Sequence, residues 1–375
     1  MKDWTLYRAA LYFLPAKGKL NETELNGEET RAALRILKKQ RCTGAVLCLF
    51  DETGAARALT FGEARKGLPV RRDTPFRLAS VSKFVTALGA MRLKEQGKIG
   101  LDRDVNEYLP FPVRHPKAPD TPITLRMLLS HTAGIHDGAD YNSGIAQGVP
   151  CAALLRGDSF CAHLPGEKWE YSNFGAGIAG AVLEAATGKE LDALMRETVF
   201  APLHVEASYY PQRVKGCLSD ARRILPPSKR PNFDGAARQQ RPQPDGRPDP
   251  ERHYALAHGN LCTSAPDLCR IGAAGMEPGF LRKETLAEMR RVVAPFGERA
   301  GDLSQGIGTF VLQNPAVSQR PLYGHQGMAY GAVHGLFFDP IAHQGMALLT
   351  VGASEARRGV LADLNRELLA AFLRA

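Results

Sequence analysis

The sequence predicts an α/β (α+β) protein in which both ends of the chain form one domain and a mostly helical region is inserted between them. Three observations indicate this fold class. Short apolar runs bounded by turn residues lie near both ends, apolar residues at helical spacing occupy the middle, and no internal repeat is present. The expected division is an α/β domain of residues 1–85 and 290–375 and an inserted helical domain of residues 86–289.

The first elements are a surface helix and two strands. Residues 28–40 mix charged and apolar residues at helical spacing, which is typical of a surface helix. The apolar run at 45–50 predicts a strand, and the turn residues at 51–54 lead to a second strand near 58–63.

Helices dominate the middle of the chain, and strands return near its end. Helical patterns cover Ser80 to Gly97, 125–130, 176–186 with an end at Thr187-Gly188, and 191–200. Strand patterns cover 309–312, 334–339 and 345–351, with a tight turn at 340–344, before a final helix from about 355 to 373.

Composition is that of a soluble globular protein. The chain has 375 residues, 44% of them hydrophobic and 23% charged, and lacks the run of roughly 20 apolar residues that a membrane span needs. Asp3, Arg8 and Pro15 interrupt any apolar core of a secretion signal in the first 20 residues, so we expect a cytoplasmic protein with no membrane partner.

The cysteines favour reduced thiols and no metal. Their number is odd, at 7, their spacing is irregular, and no Cys-x-x-Cys pair occurs. Cys48, Cys262 and Cys269 lie in apolar stretches, so we expect them to be buried structural thiols.

Positive charge is concentrated in a proline-rich insertion at about 211–252. Between Arg213 and Arg252, ten Lys or Arg against five Asp or Glu leave +5 of the net +9. The arginines are not interleaved with aromatic residues and no nucleic-acid motif accompanies them, so we expect no nucleic-acid partner. A lid or an edge of a substrate mouth is the favoured interpretation.

Ser80 and Lys83 carry the strongest chemical signal. The helix that follows Ser80 has small uncharged residues opposite its apolar ones, and a helix without a polar face is usually buried. Lys83 then lies inside the protein one turn from Ser80, where burial lowers the pKa of an amine. A neutral amine beside a hydroxyl is a general base beside a nucleophile. The alternative is a solvated Ser-x-x-Lys pair of the kind that arises by chance.

Tyr171 and Asn173 form a second candidate pair ahead of a helix that begins near Gly175. A phenol near a buried ammonium should lose or share its proton more easily, and the Asn173 amide could hold Lys83 or a substrate carbonyl. The alternative is an ordinary turn, since Asn favours turns and Tyr often only packs.

His325 and Gly327 form a third candidate pair. They lie in a short link before the closing strands, where glycine would let a ligand approach the backbone. His343 repeats the same triplet within a hairpin turn and is the weaker candidate. His131 follows Ser130 at a helix end, and we interpret it as structural rather than as part of a triad.

Together, Ser80-x-x-Lys83, Tyr171-x-Asn173 and His325-x-Gly327 resemble the class C β-lactamase superfamily, which also holds D-Ala carboxypeptidases, D-aminopeptidases and esterases. Supporting stretches lie at 128–134, 165–173, 200–203 and 261–268, and the likeness spans roughly 42 to 352. The resemblance implies a β-lactamase/transpeptidase-like fold with a central antiparallel sheet flanked by helices.

The resemblance also implies a mechanism without a cofactor or metal. Ser80 attacks a carbonyl, Lys83 and Tyr171 move the proton, and Asn173 orients Lys83 and the substrate. The backbone N–H groups of Ser80 and Met328 hold the oxyanion.

The third motif departs from the family's β-lactamases, which usually carry Lys-Thr-Gly there. A neutral His325 holds a substrate carboxylate more weakly than a fixed cation does, and Gln326 replaces the hydroxyl residue.

The favoured function is therefore a serine hydrolase that cleaves a small ester or amide, or a short peptide, through an acyl-serine, with no partner protein indicated. Alternatives left open are a D-amino-acid peptidase, a D-Ala carboxypeptidase or β-lactamase, an acyltransferase, and a catalytically silent binding protein.

Overall fold

A large antiparallel sheet forms the centre of the computed structural model, which describes residues 4–14, 16, 18–156, 158–216, 245–295 and 303–374. Its strands run in the order β1-β3-β2-β13-β12-β11-β10-β9-β8, with β4 paired to β3. They are β1 (Leu20–Thr23), β2 (Gly44–Asp51), β3 (Ala56–Arg65), β4 (Leu68–Pro69), β8 (Ala294–Pro295), β9 (Leu303–Gln305), β10 (Phe310–Leu312), β11 (Leu322–Ala329), β12 (Ala332–Asp339) and β13 (Gln344–Gly352). Two small sheets combine β5 (Phe76–Arg77), β6 (Ala207–Ser208) and β7 (Cys262–Thr263), and β14 (Arg357–Arg358) and β15 (Leu361–Ala362).

Helices lie on both sides of the sheet and in the middle of the chain. They are α1 (Thr5–Tyr12), α2 (Gly27–Lys39), α3 (Val81–Glu95), α4 (Leu125–Leu129), α5 (Ala139–Gln147), α6 (Cys151–Leu154), α7 (Asn173–Thr187), α8 (Leu191–Met195), α9 (Tyr254–Ala257), α10 (Ala265–Met276), α11 (Lys283–Arg290) and α12 (Asp363–Phe372). Short 3-10 turns occur at Val105–Glu107 and Pro211–Arg213, and a π-helical turn at Arg196–Phe200 follows α8. Each of the described helices is too short or too polar to cross a bilayer.

The two ends of the chain meet where β2 pairs with β13, with Leu47 opposite Leu348. Both faces of β2 are buried, because α10 packs on one side of the sheet and α2 and α12 lie on the other. A strand covered on both faces reads as a continuous apolar run, which is why β2 was recognisable in the sequence. The predicted α/β fold with its central antiparallel sheet is confirmed. The division into 1–85 with 290–375 and 86–289 stays a prediction, and residues 217–244 of the basic insertion lie outside the described residues.

Two expectations about local structure were wrong. The final helix begins at Asp363 rather than near 355, because β14 and β15 form a small hairpin around Gly359, whose φ is 61°. His325 to Gly327 lie within β11 and not in a link. Glycines weaken a strand pattern, but Gly324 is needed there, since a Cβ would lie 1.9 Å from the Leu336 carbonyl oxygen of β12.

The prediction of a buried helix after Ser80 is confirmed, because nearly all of α3 from Val81 to Leu93 is buried. Small residues on it allow close packing against neighbouring elements. A Cβ at Gly89 would lie 2.4 Å from the Met195 sulfur, so the end of α8 packs closely against α3 at the glycine. This packing places Lys83 in the interior.

Candidate active site

The site is built around the start of α3. Ala79, just before Ser80, has a left-handed backbone with φ of 49°, which is uncommon for a residue with a side chain. The Ser82 hydroxyl holds this turn, since it donates to the Ala79 carbonyl at 2.7 Å and accepts from the Leu261 N–H at 3.1 Å. Ser80 itself remains partly exposed at the helix end.

The third predicted motif reaches the same turn from β11. A Cβ at Gly327 would lie 2.3 Å from the Leu78 carbonyl oxygen and 3.2 Å from the Ser80 backbone nitrogen. Only glycine allows this approach without a shift of the backbone. The strand that carries Met328 is thus adjacent to the Ser80 backbone, and the oxyanion role of the Ser80 and Met328 N–H groups stays a prediction.

Lys83 is the centre of the hydrogen-bond network. Its side chain is buried, and Nζ lies 2.6 Å from the His258 carbonyl oxygen, 2.8 Å from Asn173 Oδ1 and 3.2 Å from Ser80 Oγ. The first two partners can only accept. A neutral amine has two N–H donors and one lone pair, so these acceptors use both donors. Among the described residues that contact Nζ, the Ser80 hydroxyl is the partner that can donate to the lone pair.

Burial makes the neutral amine accessible near neutral pH. Loss of hydration lowers the Lys83 pKa from 10.5 to about 7, and the nearby Asp137 carboxylate opposes this shift in part. The geometry and the lowered pKa are what a lysine general base requires.

Asp137 fixes the orientation of Asn173 and was missed by the sequence analysis. Its carboxylate accepts from Asn173 Nδ2 at 2.6 Å, from the Ser172 hydroxyl at 3.2 Å and from the Phe174 N–H at 2.9 Å. An amide that donates to Asp137 must turn Oδ1 towards Lys83. The local signal, an Asp-Gly pair, predicts only a turn, and no spacing rule connects it to the Tyr-x-Asn motif 34 residues later.

Tyr171 lies next to both members of the first motif, but its acidity is not as expected. The phenol is hydrogen-bonded to Ser80, and Lys83 Nζ lies 5.1 Å from the ring centroid. Burial raises the Tyr171 pKa, and the Asp137 charge adds to the effect, whereas the Ser80 contact only partly offsets it. The expectation that this phenol loses its proton more easily was therefore wrong. Tyr171 is therefore a neutral phenol that keeps its proton next to Ser80.

His131 packs against the phenol ring of Tyr171. Its ring packs on Tyr171 with centroids 4.5 Å apart, and its Nδ1 accepts from the Ser172 N–H at 3.2 Å. Burial and the neighbouring Lys83 lower its pKa well below the usual range, so it is neutral. These contacts are those of the structural residue that the sequence predicted.

His325 shares the face of β11 that carries Gly327. It is buried and stacks on Phe310 at 4.0 Å between centroids, and its Nδ1 contacts the Gln326 carbonyl oxygen at 2.6 Å. Burial and Lys83 lower its pKa to about 3, so the ring is neutral. Because Nδ1 must donate to that carbonyl, Nε2 carries the lone pair, and it has no hydrogen-bond partner among the described residues.

Gln326 points away from this site, because neighbouring residues of a strand face opposite sides. Its amide donates to the Val360 carbonyl at 2.5 Å and accepts from the Ala362 N–H at 3.0 Å. The face of the third motif towards Ser80 thus presents an imidazole and a glycine, with neither a cation nor a hydroxyl. His343 lies in the β12–β13 turn, where it contacts Glu277 at 2.9 Å.

The described ranges contain no group of three or more His, Cys, Asp or Glu side chains placed to hold a metal ion. Cys48, Cys262 and Cys269 are buried, as predicted.

Comparisons with known proteins identify the family and the fold of the chain. The family model described as Beta-lactamase matches residues 28–371. The chain is 30% identical to Esterase EstB of Burkholderia gladioli over 365 residues, which cover 89% of this chain and 92% of the esterase. Among solved structures, EstCE1, "a hydrolase with promiscuous acyltransferase activity", superposes with a TM-score of 0.73 at 24% identity, over 98% of this chain and 100% of that one. A D-amino acid amidase from Ochrobactrum anthropi SV3 superposes with a TM-score of 0.69 at 22% identity, over 92% of this chain and 97% of that one.

Proposed function

Because the chain belongs to the beta-lactamase family, we propose that it is a serine hydrolase that cleaves small esters through an acyl group on Ser80. The observation that carries the proposal is the environment of Lys83. Two partners that only accept occupy its N–H groups, so its lone pair is left for the Ser80 hydroxyl at 3.2 Å. The proposed proton transfers rest on this arrangement and on Tyr171, whose raised pKa keeps the phenol protonated beside Ser80.

In the proposed acylation, Ser80 Oγ bonds the substrate carbonyl carbon as Lys83 Nζ takes the hydroxyl proton. The oxyanion accepts hydrogen bonds from the backbone N–H groups of Ser80 and Met328, and one such donor is typically worth about 3 kcal/mol. The bond to the leaving group breaks as Tyr171 gives it the phenol proton, and the Lys83 ammonium restores that proton.

Deacylation repeats the sequence with water as the nucleophile. Water adds to the acyl carbon as it loses its proton to Lys83 through Tyr171. The bond between Ser80 Oγ and the acyl carbon then breaks as the Lys83 ammonium gives that proton to Oγ. The carboxylic acid is released and the amine is neutral again. Asn173 keeps Lys83 oriented throughout, and Asp137 keeps Asn173 oriented.

The third motif supports substrates without a carboxylate near the scissile bond. A β-lactam or a peptide ending in D-Ala presents a carboxylate, which a fixed cation would hold. His325 is neutral and its Nε2 can only accept, so it would oppose a carboxylate and match an N–H or O–H donor. This favours an ester over the carboxypeptidase and β-lactamase alternatives.

A second candidate is an amidase that acts on amino acid amides, and His325 is also the observation that favours it. Nε2 of this buried imidazole has no donor among the described residues, and the free amino group of such a substrate would supply one on reaching it. The D-amino acid amidase with the same fold makes this class a natural comparison.

A fluorophosphonate probe and a substrate panel test the proposal. The probe should label the native protein and the control Ser143→Ala, an exposed serine, but not Ser80→Ala. Labelling of Ser80→Ala would show that another nucleophile reacts. On p-nitrophenyl acetate and butyrate, D- and L-phenylalanine amide and a chromogenic cephalosporin, the esters should react fastest and the cephalosporin slowest. Faster amide cleavage would select the second candidate, and preferred cephalosporin cleavage would contradict both.

A further inference from the structure

The outer side of α1 is apolar and exposed, which is the reverse of an ordinary surface helix. Leu6, Tyr12 and Phe13 are 79%, 78% and 88% exposed. Leu6 and Phe13 are seven residues apart and share one helix face with the exposed Ala9 between them. Arg8, the one charged residue of the helix, turns inward and pairs with Asp363 at 2.7 Å. Apolar side chains in such a group usually mark an interaction surface.

A basic cleft of about 840 Å³ lies beside this helix, between α1, α2 and α12. Seven basic and two acidic side chains line it, an excess of five positive charges. Both acids are already engaged, Asp363 by Arg8 and Glu367 by Lys39 at 2.9 Å. Within the described ranges, Arg35, Lys38 and Arg358 of the cleft have no carboxylate partner.

The apolar helix and the cleft form one continuous surface. Arg41 donates to the Leu11 carbonyl and to the Lys38 carbonyl, both at 2.7 Å, so it joins the ends of α1 and α2. Tyr12 belongs to both parts, since it is exposed on α1 and also lines the cleft. We call the outer side of α1 together with this cleft the docking face.

We propose that the docking face binds the surface of an anionic lipid bilayer. Leu6, Tyr12 and Phe13 lie in the boundary between headgroups and acyl chains, and the arginines and lysines of the cleft contact lipid phosphates. Apolar insertion combined with positive charge is the pattern of helices that lie on membranes. The absence of a spanning segment led the sequence analysis to expect no membrane partner, but peripheral binding needs no such segment.

Charge and apolarity together select this occupant over others. A nucleic acid would match the charge but would leave the apolar side of α1 in water. A second copy of the chain would bring a like-charged cleft against Arg35 and Lys38, which is unfavourable. An anionic bilayer satisfies both halves of the docking face at once.

Vesicle sedimentation with the full chain tests the proposal. Binding should occur to vesicles of phosphatidylcholine with phosphatidylglycerol, be weak on phosphatidylcholine alone, and fall as salt is added. The pairs Leu6→Ser with Phe13→Ser, and Arg35→Glu with Lys38→Glu, should each lower the partition coefficient by at least about tenfold. The control pair Leu68→Ser with Arg71→Glu removes an exposed apolar residue and an exposed cation elsewhere and should bind as the native protein does.

Hydrolysis of p-nitrophenyl acetate reports folding and should be unchanged in all variants, since none of these residues belongs to the site around Ser80. Equal binding to both vesicle types, no binding, or binding that all variants retain would overturn the proposal. A concentration-dependent dimer that Phe13→Ser abolishes, without vesicle binding, would assign the docking face to a second copy instead.

Discussion

Replacing Lys83 with Met should change how the stability of the protein depends on pH. In the folded protein the Lys83 pKa is about 7, whereas in the unfolded chain it returns to about 10.5. Between these values the unfolded chain binds a proton that the folded protein does not. The free energy of unfolding therefore rises with pH between these two values. Below about pH 7 the buried amine is charged, and its full desolvation cost lowers the stability of the folded protein. Met has no such proton.

The magnitude follows from the two pKa values. One pKa unit corresponds to about 1.4 kcal/mol, so the native protein should gain about 2 kcal/mol relative to Lys83→Met between about pH 7 and about pH 9. The hydrogen bonds that Met cannot make to Asn173 and His258 shift the whole curve and cancel in this difference. Activity should fall by about a thousandfold or more, because the base is gone.

Urea unfolding of the native protein, Lys83→Met and the exposed control Lys98→Met, at several pH values, gives the free energies directly. In the native protein, kcat/KM for p-nitrophenyl acetate should rise with pH through a midpoint near 7, as the amine becomes neutral. Parallel stability curves for the native protein and Lys83→Met, or a midpoint near that of an ordinary lysine, would refute the reasoning. The control should run parallel to the native protein.

Three further substitutions examine the rest of the site. Asp137→Ala should lower kcat by about ten- to a hundredfold, because the Asn173 amide can then flip. The midpoint of the pH–rate profile should move to lower pH, since the Asp137 charge raises the Lys83 pKa. An unmoved midpoint would show that Asp137 has only a structural role. Tyr171→Phe should slow the hydrolysis of alkyl esters by about a hundredfold or more, but that of p-nitrophenyl esters much less, because nitrophenolate leaves without a proton. An equal loss of rate for both kinds of ester would contradict the role of Tyr171 as proton donor. Gly327→Ala should lower the free energy of unfolding by about 1–3 kcal/mol and remove most fluorophosphonate labelling, because the new Cβ would lie 2.3 Å from a backbone oxygen. Urea unfolding and gel fluorescence measure the two effects. Labelling equal to that of the native protein would show that β11 can shift to accept the side chain.

The sequence was most informative where the other residues of the same helix determine the surroundings of a side chain. Lys83 could be placed in the interior because every neighbour on α3 is apolar or small, and the structure buries nearly all of them. The sheet could likewise be inferred from the continuous apolar runs of β2 and β13, which are covered on both faces.

The sequence was least informative where contacts between distant parts of the chain determine the partners or the pKa of a side chain. Asp137 acts on Asn173 across 36 residues, and nothing in its own neighbourhood predicts that contact. The Tyr171 pKa had the wrong expected direction because the sequence indicates a nearby cation but not how much water the fold removes from the phenol. The strand around His325 was hidden by glycines that the sheet needs for close approach.

The pairing of β2 with β13 has a consequence for synthesis of the protein. On the ribosome, β2 and β3 can form their hairpin early, yet the other edge of β2 stays open until Gln344–Gly352 has been made. An apolar strand with a free edge is a template for wrong partners. Nascent chains stalled before β13 should therefore aggregate or occupy chaperones, and a premature stop codon there should leave no soluble product.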